Sequence, residues 1–467
     1  MKHSNNKEKF LDQVCELVRV KKMHKQIRKE LNDHIEDQRD EYISRGMDRD
    51  EALIKSIEDM GDPLLVGKEL NEAHKPLVEW SVLITTGLFL LISGIMQYMF
   101  SNIESISGNS QAVFFSKFLV YAPIGIMIFA VAYFFDYTLL RKYAWILYIS
   151  YILLMIVIFM TSPMVYGSIF YAYYPSLLFI PIFSGLVYRL SHMKYLGILL
   201  SGIVCMPAFI IALGIPSISN TLILIISCLV ILTSAIKSGL FRCDTKLGLS
   251  LVYIPTIITF ISSIFIMIVQ SPYRFNRLLS LFIWTQDANA EDYQMAIVRE
   301  TIRNSRPFGS ISIKNKPLEA LLPGWNSDFS FTFLIGKLGY IPAIIVGALI
   351  LFLLYRLYRI SLSQKNILGK LLSLGCVSIL TLQFVCSILF NIGFYIIITQ
   401  APPFLSYGSL SLVFTMGLLG LILSVYRRSN TVANTSLSPV LKNDIIYIDD
   451  GKLIINFKNK WFKKQNL

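Results

Sequence analysis

The sequence has 467 residues, of which 54% are hydrophobic and only 16% are charged, and its mean hydropathy is +0.57. Soluble globular chains carry charges on about a quarter of their residues, so this composition excludes an ordinary soluble enzyme and indicates a polytopic membrane protein. The net charge of +13 is explained by basic cytoplasmic loops of a membrane protein, and we expect no nucleic-acid partner.

The first 75 residues are polar in character and predict a small cytoplasmic helical domain, 1–75. Apolar residues recur at helical spacing from Phe10 onward, and Asp48 is placed to cap a third helix. The stretch 28–68, with its EDMGDP turn, resembles the prefix domain found ahead of some Gram-positive permeases and membrane regulators. Two interpretations stay open, a regulatory or protein-binding module and a helical bundle without a ligand.

Ten apolar segments follow, each close to the length of about 20 residues that a membrane-spanning helix needs. They are 79–100, 112–134, 143–161, 175–190, 196–213, 219–236, 248–270, 329–355, 371–399 and 409–426. We therefore predict an all-α polytopic membrane domain at 79–428 with ten transmembrane helices, followed by a cytoplasmic tail at 429–467 that suits contact with membrane lipids.

The charges of the connecting loops alternate and indicate the orientation. Five loops contain Lys or Arg, whereas the alternate short loops contain neither; those are 101–111, 162–174, 214–218 and 400–408. The positive-inside rule then places both termini in the cytoplasm and the large loop 271–328, between helices 7 and 8, outside. Lys117, near the outer end of the second segment, is expected to snorkel to the membrane interface.

The large outer loop ends in the stretch WNSDFSF, where Asp328 stands at the entrance to the eighth apolar segment. Several arginines and lysines precede it between Arg299 and Lys316. Basic groups beside a carboxylate suit a lipid-linked phosphate substrate, with the cations on the phosphates and the carboxylate as a base. From the residues alone two simpler roles stay open: Asp328 stabilises a helix start, and the cations pair with lipid headgroups.

A second distinctive stretch follows the ninth segment. It reads NIGFY at 391–395 and PPFLSYGS at 402–409. Irregular backbone between two spans is tolerated only where protein or a water-filled cavity satisfies it, so we expect a shaped cavity wall near the outer surface. Together with WNSDFSFTFLIGKLGY at 325–340 and YRFNRLLSLF…DYQ in the outer loop, it resembles the SEDS family (shape, elongation, division and sporulation), which includes RodA, FtsW and SpoVE.

The resemblance covers 79–428 and implies a peptidoglycan glycosyltransferase of the bacterial cytoplasmic membrane. Such an enzyme polymerises lipid II with inversion at the outer face during elongation, division or sporulation, with a class B penicillin-binding protein as its transpeptidase partner. By position Asp328 matches the catalytic aspartate, which would accept the proton of the acceptor's sugar 4-hydroxyl. The substrate-binding positions carried over are Arg277, Gln294, Asn391, Pro403, Ser406, Tyr407 and Gly408.

A divalent cation, Mg²⁺ or Mn²⁺, is implied by the resemblance alone, and no organic cofactor is expected. The residues themselves show no metal-ligand cluster and no CxxC pair, so we predict neither a protein metal site nor structural disulfides.

The sequence also departs from the family pattern at three places. The stretches 166–170 and 174–177 lack the Arg, Glu and Lys that the family shows, 215–217 lacks a carboxylate, and the EELG motif reads GKLG at 336–339. These losses are compatible with a divergent active enzyme that handles its substrate differently and with a member that has lost activity. Two alternatives to the glycosyltransferase stay open, a lipid-linked precursor transporter (flippase) and a non-catalytic SEDS-like scaffold or regulator. Few ionisable residues lie within the spans, which counts against a transporter; Lys337 is the main exception.

Overall fold

The computed structural model describes residues 2–103, 113–162, 164–165, 168–215, 218–270, 290–313, 315–394, 400–430, 446–449 and 452–455. Nearly all of the regular structure is helical. The chain packs as two compact units. One contains the residues up to Val78 and the short segment that begins at Arg427, and the other runs from Glu79 to Tyr426.

The N-terminal unit consists of four amphipathic helices: α1 (Lys2–Leu17), α2 (His24–Ser44), α3 (Arg49–Asp59) and α4 (Pro63–Ala73). The Asp48 carboxylate accepts a hydrogen bond from the Asp50 N–H at 3.1 Å and so caps α3, as predicted. Buried apolar side chains between the helices form the core of the unit; they include Phe10, Leu11, Val14, Val18, Ile27 and Ile35.

The first part of the membrane unit contains α5 (Trp80–Ser101), α6 (Val113–Phe134), α7 (Thr138–Lys142), α8 (Ala144–Thr161), a hairpin of β1 (Met164–Val165) and β2 (Ser168–Ile169), α9 (Tyr173–Leu177), α10 (Phe179–Leu190), α11 (Lys194–Gly214), α12 (Ile218–Lys237) and α13 (Thr245–Gln270). The second part contains α14 (Ala290–Asn304), α15 (Leu318–Leu321), α16 (Ser330–Leu338), α17 (Tyr340–Leu362), α18 (Ile367–Asn391) and α19 (Ser409–Arg427). A hairpin of β3 (Ile446–Asp449) and β4 (Lys452–Ile455) completes the described chain.

Eight stretches of the described chain are long and apolar enough to cross a membrane. One of them, Tyr173–Gly214, has 42 residues and holds both α10 and α11, which pack against each other across a 3₁₀ turn. A further apolar helical stretch, Thr245–Thr259, lies in α13. All ten predicted segments thus correspond to helices, which confirms the all-α polytopic architecture. The cytoplasmic position of both termini stays a prediction.

Two segments differ from their predicted bounds. The eighth, predicted as 329–355, is divided at Gly339 into the short α16 and the long α17. The ninth, predicted as 371–399, forms α18 and ends at Asn391. This helix is the core of the membrane unit, because it packs against α10, α12 and α17 and most of it is buried.

Candidate active site

The approach to α16 is a compact turn built on Gly324. Its backbone has φ +77°, a value that glycine adopts without strain, and its carbonyl accepts hydrogen bonds from Ser327 N at 2.9 Å and Phe329 N at 3.1 Å. The turn thereby fixes the backbone of Asp328, which precedes the N-cap residue Phe329.

Asn391, at the end of α18, caps α16 from a distance. Its Oδ1 accepts a hydrogen bond from the Thr332 N–H at 2.9 Å, and its Nδ2 donates to the Asp328 carbonyl at 2.8 Å and to the Ser387 carbonyl at 2.9 Å. A free N–H in the first turn of a helix is normally satisfied by the N-cap side chain. Here the N-cap is Phe329, which cannot do so. A buried amide from another helix therefore holds the backbone of Asp328 in place.

This arrangement leaves the Asp328 carboxylate out of the cap. Among the described residues none donates a hydrogen bond to that carboxylate or pairs with it, so it does not serve as the helix cap that its position suggested. The side chain is exposed, yet protein surrounds it closely enough that desolvation raises the pKa of the Asp328 carboxyl above its usual range. Both facts fit a carboxylate in an open crevice, which a substrate can reach.

The turn after α18 is joined to the Asp328 loop by its backbone. Tyr407 N donates to the Asn326 carbonyl at 2.6 Å. Phe404 has a left-handed backbone, φ +67°, and its buried ring stacks on Phe89 of α5 with the centroids 5.4 Å apart. Gln97 Nε2 of α5 donates to the Ser406 carbonyl at 3.2 Å. The packed ring holds the turn in its unusual conformation, and the two motifs of the sequence become one structural unit.

Aromatic rings pack around the same loop. The Trp325 ring lies 5.3 Å from Phe100 and 5.0 Å from Phe333, measured between centroids. The Phe114 ring of α6 meets Tyr407 edge-on at 4.4 Å. Such pairs stabilise a packing arrangement by about 0.5–1.5 kcal/mol each beyond their buried area, so α5 and α6 hold the loop rigidly.

The predicted site residues are brought together only in part. Asp328, Asn391 and Tyr407 are linked by hydrogen bonds through the loop, and Pro403, Ser406 and Gly408 belong to the same turn as Tyr407.

The remaining predicted substrate-binding residues differ from one another in their placement. Asn391 is fully buried and acts on the backbone of Asp328, so it has no surface to offer a substrate. Gln294 is half-buried on α14, and no hydrogen bond of the described residues joins it to the cluster. Arg277 lies outside the described residues.

The family model described as cell cycle protein, covering FtsW, RodA and SpoVE, matches residues 185–431, which include the whole cluster. The chain belongs to the FtsW/RodA/SpoVE family. This confirms the resemblance carried by the two motifs. With its apolar helices, family membership makes the chain a multi-pass protein of the bacterial cytoplasmic membrane.

Individual relatives in the FtsW/RodA/SpoVE family are distant. Stage V sporulation protein E of Bacillus subtilis is 27% identical over 163 residues, 35% of this chain and 44% of that protein. The probable peptidoglycan glycosyltransferase FtsW of Wigglesworthia glossinidia brevipalpis is 27% identical over 301 residues, 61% of this chain and 76% of that protein. The chain thus spans less than half the length of the Bacillus relative.

A solved structure shares the fold. One chain from a study of how a peptidoglycan synthase complex coordinates polymerization and crosslinking has a TM-score of 0.57 and 18% identity. The match covers 75% of this chain and 98% of that chain. At this identity the likeness concerns the fold alone.

Polar groups near Asp328 include two tyrosines that the motifs did not indicate. Tyr173 and Tyr174 lie within electrostatic reach of the Asp328 carboxylate. The Tyr174 hydroxyl hydrogen bonds with Ser411 of α19, whereas the Tyr173 hydroxyl is buried without a partner among the described residues. Tyr174 opens the stretch 174–177 that departs from the FtsW/RodA/SpoVE pattern, and Tyr173 directly precedes it, so this departure was the signal in the sequence for both.

Lys337 also differs from its expected role as a charge in the membrane. Its Nζ lies 2.5 Å from Glu319 Oε1, and the Glu319 side chain is almost completely buried. The pair joins α15 to α16. Lys337, which the sequence places inside a span, is therefore paired with a carboxylate. The ion pair fixes the end of α16, just before the long helix α17 begins.

The family resemblance implies a divalent cation, but the described residues do not form a cluster of side-chain ligands for one. Among the described residues, no group of three or more His, Cys, Asp or Glu side chains could hold a metal ion. Asp328 by itself offers one carboxylate, and a protein site for Mg²⁺ generally combines one or two carboxylates with substrate phosphates.

Proposed function

We propose that the protein is a peptidoglycan glycosyltransferase that polymerises lipid II at the outer face of the cytoplasmic membrane. One observation carries the proposal: the Asp328 carboxylate is accessible and unpaired among the described residues, while its backbone is held by Asn391. This is the arrangement expected of a catalytic base, which needs a fixed position and free acceptor oxygens. Relatives named as probable peptidoglycan glycosyltransferases support the substrate class.

The proposed reaction is an inverting displacement. The 4-hydroxyl oxygen of the acceptor sugar attacks the anomeric carbon of the donor, and the bond from that carbon to the lipid diphosphate breaks. Asp328 accepts the hydroxyl proton, and undecaprenyl diphosphate leaves with the electron pair. The carboxylate must be ionised to act, and its pKa is raised. Polymerisation should therefore decline as the pH falls through that raised pKa and recover above it.

A class B penicillin-binding protein is the proposed partner. The solved structure that shares the fold comes from a peptidoglycan synthase complex in which polymerization and crosslinking are coordinated. A polymerase that makes uncrosslinked strands outside the membrane requires a transpeptidase to join them, which supports the same pairing.

The test is polymerisation of purified lipid II by the full chain together with its cognate transpeptidase. Asp328→Asn keeps the size of the side chain but removes the base, and we expect glycan synthesis to fall by about 10²–10⁴-fold, the usual contribution of a general base. Glu300→Gln is the matched control, because Glu300 lies on α14 in the same outer loop; its product should equal that of the native chain.

Two outcomes would contradict the proposal. Equal product from the native chain and Asp328→Asn would remove the role of Asp328. No product from the native chain, while a proven family member succeeds in parallel, would favour the non-catalytic scaffold. The transporter alternative predicts movement of lipid II across vesicle membranes without polymer, which the same preparation can measure.

A further inference from the structure

Lys117 lies near the start of α6, the second membrane helix, and its side chain is exposed. A lysine at this depth is expected to extend toward lipid headgroups. Instead its Nζ donates a hydrogen bond to the Tyr407 hydroxyl at 2.8 Å and lies 5.6 Å from the centroid of the Tyr407 ring. The ammonium is thus directed at the turn after α18.

Tyr407 ties this cation to the active site. Its backbone N–H donates to the Asn326 carbonyl, two residues before Asp328, at 2.6 Å. Its ring packs edge-on against Phe114, one helical turn before Lys117, at 4.4 Å. These contacts fix the position of the ammonium relative to the Asp328 loop, even though the lysine side chain is flexible by nature.

The charge of Lys117 is not neutralised within the described chain, where no carboxylate lies within ion-pair distance of its Nζ. Because the ammonium donates to the Tyr407 oxygen, the Tyr407 O–H is left to donate in another direction. An ammonium with free donors and a polarised phenol side by side form a pair that suits an anion with several oxygens.

We propose that Lys117 and Tyr407 bind the diphosphate of the lipid-linked donor sugar. The inference rests on the proposed glycosyl transfer, in which negative charge accumulates on the leaving diphosphate while Asp328 receives a proton. Cations placed where charge develops are the main electrostatic aid to such a reaction. The stretch 166–177, where the family pattern has charged residues, carries no Lys or Arg in this chain. Lys117 supplies the missing charge from a different helix.

A phospholipid headgroup offers the same phosphate chemistry, but the geometry favours the substrate. A lysine that bound only lipid headgroups would not need a fixed position relative to the Asp328 loop. Lys117 contacts the one side chain of the turn whose backbone is bonded to the loop of the base. The site is therefore assigned to the donor diphosphate.

The test measures binding and does not depend on polymerisation. The full chain is placed in nanodiscs of phosphatidylcholine, and its affinity for farnesyl diphosphate, a short isoprenoid diphosphate, is measured by calorimetry. Lys117→Gln should weaken binding by about 10- to 100-fold, the usual worth of a hydrogen bond to a charged group. Lys117→Arg should restore most of the affinity. Lys142→Gln is the matched control, because Lys142 is also exposed and its Nζ lies 5.0 Å from the centroid of a tyrosine ring, that of Tyr143. Its affinity should equal that of the native chain.

Further measurements distinguish binding of the donor diphosphate from binding of a phospholipid headgroup. Asp328→Asn should bind farnesyl diphosphate like the native chain, so a failure of catalysis leaves the binding result intact. Replacing a third of the lipid by phosphatidylglycerol should change the affinity for farnesyl diphosphate by the same factor in the native chain and in Lys117→Gln. Unchanged affinity in Lys117→Gln would overturn the proposal. Displacement of the diphosphate by phosphatidylglycerol that requires Lys117 would overturn it too, and would assign the site to headgroups.

Discussion

Asn391 shows how one amide can hold the backbone of the proposed base, Asp328, and leave its carboxylate free. Its Nδ2 and Oδ1 bind the carbonyl before α16 and an N–H within its first turn, so the carboxylate of Asp328 is free of any capping duty. An aspartate that capped its own helix would have its oxygens occupied by backbone donors. In the proposed reaction, Asn391 would fix the backbone at the start of the helix, and the Asp328 carboxylate would remain available as the base.

Substituting Asn391 by alanine should therefore affect the rate more than the binding of substrate. We expect Asn391→Ala to lower the polymerisation rate by about 10²-fold, because a displacement of about 1 Å at a reacting group can cost that much. Affinity for farnesyl diphosphate should stay within a factor of two or so, since Asn391 is fully buried and lies behind the base. Initial rates and calorimetry on the same preparation measure both quantities.

A double substitution distinguishes positioning from general damage. If Asn391 acts through Asp328, adding Asn391→Ala to Asp328→Asn should reduce the residual rate little further, because the base is already absent. Thr332→Val is the control, since it removes a hydroxyl beside Asn391 and keeps the backbone N–H that Asn391 binds. Additive losses in the double variant would contradict the positioning role.

At the scale of elements, α16 is a separate short helix locked at both ends. Asn391 holds its first turn, and the Lys337–Glu319 pair holds its last. Beyond it, Tyr340 N donates to the Arg306 carbonyl at 3.0 Å, which brings the outer loop against the junction with α17. The break at Gly339 thus allows α16, with Asp328 before it, to be oriented independently of the membrane helix.

Gly339 is the residue that permits this break. Its backbone has φ +96° and ψ 175°, a region open almost only to glycine, and a Cβ there would lie 2.6 Å from the Pro307 carbonyl oxygen. Gly339→Ala should therefore destabilise the protein by about 1–3 kcal/mol and reduce polymerisation. Thermal unfolding in detergent, followed alongside activity, provides the measurement.

Gly347 offers a matched comparison on the next helix. It lies within α17, and a Cβ added there would meet no atom within 4 Å. Gly347→Ala should leave the melting temperature unchanged or raise it slightly, because alanine favours helix over glycine by about 1 kcal/mol. Equal melting temperatures for the two variants would mean that the junction tolerates a side chain.

At the scale of the whole molecule, the sequence predicts what depends on composition and pattern. The apolar segments and the two motifs were enough to predict the helices and the family, whereas the catalytic role of Asp328 stays a prediction. The contacts made by single side chains across the fold could not be predicted. The role of Asn391 depends on which atoms α18 brings to α16, and the direction of Lys117 depends on a tyrosine 290 positions away along the chain. Hydrophobic periodicity contains no information on either contact.

A buried ion pair joins the first membrane helix to the long helix α17. Burial alone would raise the pKa of Glu79, but hydrogen bonds from Ser81, Arg356 and Tyr426 outweigh it and hold the pKa below its usual range. The carboxylate is almost fully buried, whereas Arg356 is about one-third exposed. The charged form of Glu79 therefore stabilises the folded state, and it does so by connecting α5, α17 and α19.

The pH dependence of this stabilisation follows from the direction of the shift. A carboxyl whose pKa is lower in the folded state stabilises above its unfolded pKa, about 4.3 for Glu, and the effect is lost as the pH falls through the lower folded value. At pH 7 we expect Glu79→Gln to be less stable than the native chain by about 1–3 kcal/mol, a range that allows for solvent screening of Arg356. Thermal unfolding at pH 7 and pH 3.5 measures the difference.

The gap in stability between the native chain and Glu79→Gln should narrow at the lower pH, because Glu79 is then protonated and neutral for part of the time, whereas the glutamine is neutral at both values. Glu72→Gln, an exposed position in the N-terminal unit, should match the native chain at both values. A gap of equal size at pH 7 and pH 3.5 would contradict this role of the charge, because glutamine keeps the shape of the side chain and its charge does not change with pH. A gap that narrows at pH 3.5 would show that the charge of Glu79 holds the three helices together.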